Sequence, residues 1–214
     1  MAALFVEARG SYSTVPDVEI WDEKRDARRY PGPWAVVAHP PCSRWCRLAG
    51  LVEARWGHKR GEDNGCFAAA LAAVRRWGGV LEHPAYSDAW TAFGLPIPSW
   101  IGWQRGVDGG WTCHVEQGRY GHPAKKATWL YAYGVEHLPA LDWGRAADNG
   151  SRALVSRCGN HTKHDYTPIT HGERRKGRAF RRQRVGKKAA AATPTAFRDL
   201  LLSIARSVAQ EIAA

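Results

Sequence analysis

Two short apolar runs, Trp34-Ala35-Val36-Val37-Ala38 and Gly79-Val80-Leu81-Glu82, flank a stretch with helical character from Gly65 to Trp77 that stops at Gly78-Gly79. A strand, a helix and a second strand at this spacing form a crossover unit, and strands joined by a helical crossover run parallel. The first run is apolar at nearly every position, the pattern of a strand covered on both faces. This unit predicts an α/β fold built on a parallel sheet.

The rest of the chain is read around that unit. Ala3 to Ala8 predicts a first strand with a turn at Gly10-Ser11-Tyr12-Ser13, and Val18 to Asp22 a second strand ending in acid. Asp26 to Tyr30 is at most one helical turn, since Pro31-Gly32-Pro33 stops it. Trp111 to Gln117 and Thr128 to Tyr133 alternate as strands of a hairpin-like pair. Thr193 as N-cap and Pro194 at the first helical position open a final helix, Thr195 to Ala213, with Phe197, Leu200, Leu201, Ile204, Val208 and Ile212 along one side. The organisation expected is a core at 1–137, a basic loop-rich segment at 138–192 and a C-terminal helix at 193–214 that packs on the core.

Composition narrows the classes. The chain of 214 residues is 44% hydrophobic and 24% charged and has no apolar run of 18 residues, which excludes a helical membrane span. Its amino terminus has neither a basic leader nor a long apolar stretch, so the chain is expected in the cytoplasm. Five scattered cysteines, an odd number, point to reduced thiols and not to a disulfide framework. The net charge of +11 is concentrated: residues 151–190 hold 12 Lys and Arg against 2 Asp and Glu. Arg174, Arg175, Lys176, Arg178, Arg181 and Arg182 lie in this block, which suits a polyphosphate such as DNA. A solvated basic tail is the plainer alternative.

The apolar run ending at Ala38 leads directly into His39-Pro40-Pro41-Cys42-Ser43-Arg44-Trp45. Two prolines hold the backbone extended and continue neither helix nor ladder, so Cys42 sits on a stiff loop at a strand's end, where a nucleophile belongs. The plainer reading is a small buried hydrophobe. Cys158-x2-His161-x2-His164, with His171 beyond, has the ligand content of a zinc site but fits no common finger spacing, and no metal is expected. Cys42, Cys46 and His39 make a second, weaker metal candidate.

Pro40-Pro41-Cys42 resembles the catalytic Pro-Cys motif of the DNA cytosine-5 methyltransferases. Leu81-Glu82-His83-Pro84 is similar to their Glu-Asn-Val motif, with His83-Pro84 in place of Asn-Val. The segment from Arg119 to Gly134, with Tyr120-Gly121-His122-Pro123, resembles their Tyr-Gly-Val-Pro-Gln-x-Arg-x-Arg segment and its following strand. Ala192 to Arg198 resembles a helix start near the family's carboxyl end. The resemblance covers roughly residues 3–134 and 192–213; it implies a Rossmann-like, doubly wound, mostly parallel sheet, and the compact plan resembles that of short phage and prophage methyltransferase-like proteins. It implies Cys42 as the nucleophile that adds to carbon 6 of the ring, Glu82 as the acid at ring nitrogen 3, and Lys125 or Lys126 where the family holds the ring carbonyl with arginine. It also implies S-adenosylmethionine as donor, with Phe5, Gly10, Glu19, Asp22 and Pro40 in the cofactor site. Ser43, Arg44 and Trp45 join the basic block as DNA contacts, with Trp45 or Trp56 supporting a base rotated out of its stack.

Two departures accompany the resemblance. The first strand is followed by one glycine, Gly10, and not by a glycine-rich turn, which leaves a non-S-adenosylmethionine one-carbon donor as an alternative. Only 58 residues separate Gly134 from Thr193, so sequence specificity should be slight. Two other classes stay open: a DNA-binding protein that keeps the scaffold without catalysis, and a cysteine hydrolase pairing Cys42 with His39, His83 or His122.

Overall fold

The computed structural model describes residues 1–47, 49–144, 189 and 191–208. Its strands are β1 (Ala2–Leu4), β2 (Glu19–Trp21), β3 (Val36–Ala38), β4 (Gly79–Pro84), β5 (Gln104–Arg105), β6 (Trp111–Glu116) and β7 (Ala127–Tyr133). The helices are α1 (Ala49–Trp56), α2 (Cys66–Trp77), α3 (Asp88–Ala92) and α4 (Thr195–Arg206). All seven strands join one sheet in the order β2-β1-β3-β4-β7-β6-β5.

The crossover expected from the sequence is present, with β3 and β4 adjacent and parallel and β1 and β2 continuing the parallel half. Beyond β4 the pairing changes, since β7 is antiparallel to both β4 and β6, and β5 is antiparallel to β6. The fold is α/β with a mixed sheet. β6 and β7 are joined through a short 3-10 turn at Gln117–Tyr120, as the hairpin-like reading predicted.

Helices cover both faces. On one side Phe67, Ala70, Leu71 and Val74 of α2 pack on Leu4, Val36, Ala38 and Leu81; on the other Phe197, Leu201 and Ile204 of α4 pack on Ala3, Val37 and Val80. Burying a large apolar side chain of this kind stabilises the fold by roughly 1.5–3 kcal/mol, so this pair of helices fixes the sheet between them. The close approach of β3 and β4 requires glycine at 79: φ is 123° there and a Cβ would lie 2.0 Å from the Val36 carbonyl oxygen.

Several expectations change. β1 stops at Leu4 and not at Ala8, because Phe5 takes a φ of 60°, a left-handed conformation that ends the ladder. Pro194, and not Thr193, occupies the cap position of α4, and it brings no side-chain hydrogen bond to the first turn. Ile212 and the end of the predicted helix lie outside the described residues. Helices α1 and α3 and strand β5 were not anticipated. Of the predicted segments, 138–144 is described without helix or strand, and nearly all of the basic block lies outside the described residues. Among the described residues no helix is long and apolar enough to cross a membrane.

Candidate active site at the carboxyl edge of the sheet

Parallel strands end at the same edge, so the loop leaving β3 meets the last residues of β4. The register pairs Ala38 with Leu81, which puts His39 beside Glu82. Glu82 alternates with Leu81 and shares the α4 face with Val80. Its Oε2 lies 2.9 Å from His39 Nδ1, and His39 Nε2 lies 2.8 Å from the Tyr12 hydroxyl. Gln117 Nε2 donates to Glu82 Oε1 at 3.0 Å and to Thr128 Oγ1 at 2.9 Å, and Thr128 in turn donates to the Lys126 carbonyl at 3.2 Å. Side chains from four separate segments are thus tied to one carboxyl group that is only 7% exposed.

Burial alone would raise the Glu82 carboxyl, but the hydrogen bond from His39 and the charge of Lys126 outweigh it and bring the group down to about 2. Glu82 is therefore a carboxylate at neutral pH. The Cys42 thiol moves the other way: burial first, then the Glu82 charge, push it up to about 11, with Lys126 acting in opposition. At neutral pH the thiol therefore keeps its proton while the carboxylate has lost its own. His83, next to Glu82 in sequence, faces the other core against Phe67 and Trp90, and burial pulls it down to about 4.

Cys42 after β3, Glu82 near the end of β4 and Lys126 just before β7 stand at the same edge of the sheet. Lys126 is half-buried and its Nζ donates to the Ala191 carbonyl at 3.3 Å, whereas Lys125 is exposed. Pro40 is buried between β3 and the Cys42 loop, on which Ser43 is exposed and Arg44 half-buried. Trp45 is a correction: it is 8% exposed, packs on Phe67 and Phe93, and donates its Nε1 to Asp63 at 2.7 Å. Its apolar ring and satisfied N–H make it a core anchor of the loop and not a platform for a base. Trp56, at the end of α1, is 50% exposed. Arg174, Arg175, Lys176, Arg178, Arg181 and Arg182 lie outside the described residues, as do Cys158, His161, His164 and His171. Among the described residues no group of three or more His, Cys, Asp or Glu side chains is arranged to hold a metal ion.

The hydrolase alternative fares poorly on geometry. Both nitrogens of His39 are engaged, by Glu82 and Tyr12, His83 belongs to the opposite core, and His122 Nδ1 lies 2.8 Å from the Ala124 carbonyl. None of the three is hydrogen-bonded to the sulfur of Cys42 through these atoms.

The sheet reverses its winding at β1, whose neighbours β2 and β3 both come after it in sequence, and ligands of such sheets bind in the crevice at the carboxyl ends there. Phe5, half-buried, and Asp22, just past β2, stand at that edge. Glu19 does not: it opens β2 at the amino end and is bonded to Arg25 at 2.7 Å. Asp22 Oδ1 accepts from the Arg25 backbone N–H at 3.0 Å. Gly10 serves its own turn, since a Cβ there would meet the Glu7 carbonyl oxygen at 3.1 Å and not an open cradle. No helix lies between β1 and β2, so this connection offers no helix N-terminus to a nucleotide-like donor. These residues do not fit the S-adenosylmethionine pocket that the resemblance implies.

The sequence points to Cys42 and Glu82 as candidates, whereas Tyr12, Gln117 and Thr128 carry no signal of their own there and His39 enters only as a candidate metal ligand or hydrolase partner. The available signal was the register: once β3 and β4 pair in parallel, the residue after Ala38 must stand beside the residue after Leu81. No family model, curated protein or solved structure matches this chain. The fold and site by themselves define an α/β protein with a cysteine, a carboxylate and a lysine gathered at one sheet edge.

Proposed function

We propose that this protein modifies carbon 5 of a pyrimidine in DNA, most simply cytosine, through a covalent bond between Cys42 and carbon 6, on a Rossmann-like scaffold. The observation that carries the reading is that Cys42 follows β3 and Glu82 lies near the end of β4, adjacent parallel strands, while Lys126 precedes β7, which pairs with β4 at the same edge; the methyltransferase resemblance singles out Cys42, Glu82 and Lys125 or Lys126. Carbon 5 is a poor nucleophile until sulfur bonds to carbon 6. The ring's π electrons then move toward nitrogen 3, which takes up a proton, and carbon 5 becomes an enamine carbon able to attack an electrophile.

The proton count of this step balances. A protonated thiol and a bare carboxylate hold one proton between them, and the addition needs that proton moved from sulfur to nitrogen 3. Glu82, whose charge acts on Cys42, is the group to relay it, so the ring gains sulfur and proton together with no net change in charge. Lys126 supplies positive charge beside the thiolate as it forms. Carbon 5 then bonds to the carbon of an electrophilic one-carbon donor and loses its own proton, and the sulfur–carbon bond breaks to return Cys42. No step is assigned to S-adenosylmethionine.

Duplex DNA deuterated at carbon 5 of cytosine tests the addition without any donor, because reversible saturation of the ring makes that hydrogen exchangeable with solvent. The wild type should wash the label out and Cys42→Ser should not. A duplex with 5-fluorocytosine should become linked to Cys42 once a competent donor is present, and mass analysis of nucleosides from expressing cells names the added group. A second reading, a DNA-binding protein that keeps this scaffold without catalysis, is favoured by the turn after β1; DNA binding with no exchange at carbon 5 would establish it.

A further inference from the structure

Glu82 is held in a way a lone acid would not need. It is ionised, so it only accepts, and the nitrogen facing it at 2.9 Å, His39 Nδ1, must carry a proton. In the neutral imidazole the other nitrogen is then an acceptor, and the Tyr12 hydroxyl at 2.8 Å is its donor. Tyr12 is itself fixed: its loop is anchored by Arg198 of α4, whose Nη1 donates to the Ser11 carbonyl at 2.6 Å, and its ring packs against His39 with centroids 5.4 Å apart. The result is a directed chain, Tyr12 O–H to His39, His39 N–H to Glu82, assembled from the β1–β2 connection and the ends of β3 and β4.

We propose that His39, oriented by Tyr12, is a positioning residue that holds the Glu82 side chain in place, so that the acid of this site is a Tyr12–His39–Glu82 unit. The inference rests on the carbon 5 reading above. The groups around the unit are accounted for: Lys126 and His83 also lower Glu82, Gln117 is a neutral donor to it, Cys42 is the proton's source, and Arg198 and Asp199 of α4 act on Tyr12 with opposite signs. With His39 gone, burial acts on Glu82 against fewer opposing groups, and the carboxyl becomes protonated at higher pH. A protonated Glu82 cannot accept the thiol proton.

The experiment is the pH profile of deuterium wash-out at carbon 5 by the full-length protein. The wild type should show no acid limb due to Glu82 between pH 5 and 8. His39→Leu should lose ~10-fold or more of its rate on going from pH 8 to pH 6, the size of a typical acid–base contribution or part of it. His39→Asn, which keeps an N–H near the Nδ1 position, should restore the flat profile. A slowdown by His39→Leu that is equal at every pH marks a merely structural role and overturns the proposal. If His39→Leu does not fold, nitrogen NMR of the His39 ring in the wild type carries the test: the Nδ1–H tautomer at pH 8 is expected, and the Nε2–H tautomer overturns it. A wild type with the Nδ1–H tautomer and no exchange on any duplex overturns the carbon 5 reading itself, and with it the step the unit would serve.

Discussion

Replacing Glu82 with glutamine removes a buried charge while keeping the side chain's shape, and this changes stability in a pH-dependent way. A carboxyl brought from its ordinary 4.5 to about 2 in the folded chain favours folding by about 3 kcal/mol at neutral pH, at roughly 1.4 kcal/mol per pH unit. Because the folded value lies below the unfolded one, that contribution is complete above pH 5 and fades as the pH falls toward 2; about 2 kcal/mol of it is gone by pH 3. In Glu82→Gln the pH-dependent part vanishes. A second loss replaces it, since the new amide presents its NH2 to His39 Nδ1–H or to Gln117 Nε2–H and leaves one buried donor without an acceptor, at a cost of about 1–3 kcal/mol. Urea unfolding of both proteins from pH 3 to pH 7 measures the difference, with groups distant from Glu82 titrating alike in each and cancelling. The wild-type advantage should shrink by about 2 kcal/mol between pH 6 and pH 3. An advantage that stays constant across that range would refute the claim that His39 and Lys126 hold Glu82 ionised.

The same geometry sets two further outcomes. Alkylation of Cys42 by iodoacetamide, read on its own peptide by mass spectrometry, should be slow at pH 7 and keep accelerating up to about pH 11, whereas acceleration that levels off below pH 9 would contradict a thiol raised by burial and by Glu82. Asp63→Ala should destabilise the chain by about 3 kcal/mol, because Asp63 Oδ2 accepts from both Trp45 Nε1 at 2.7 Å and Phe67 N at 2.8 Å, joining the Cys42 loop to the start of α2; urea unfolding checks it, and a loss below 1 kcal/mol would show that the loop is held by other contacts.

The amino-acid sequence alone determined the parts whose information is local. Glycines 78 and 79, the alanine-rich stretch before them and two apolar runs specify the β3–α2–β4 crossover, because periodicity and backbone freedom are properties of neighbouring residues. The prolines before Cys42 likewise announce a stiff loop. Short elements escaped for the same reason in reverse. α1 buries little beyond Ala49 and α3 has five residues, so neither leaves a long apolar stripe. Tertiary structure decided which side chains meet. Tyr12, His39, Glu82 and Gln117 are scattered over more than 100 positions of the chain, and only strand register and the seating of α4 against the turn after β1 put them within hydrogen-bonding distance. It also decided their chemistry, since the same burial that raises the Cys42 thiol would raise Glu82 as well, had the fold not supplied His39 and Lys126 to reverse it.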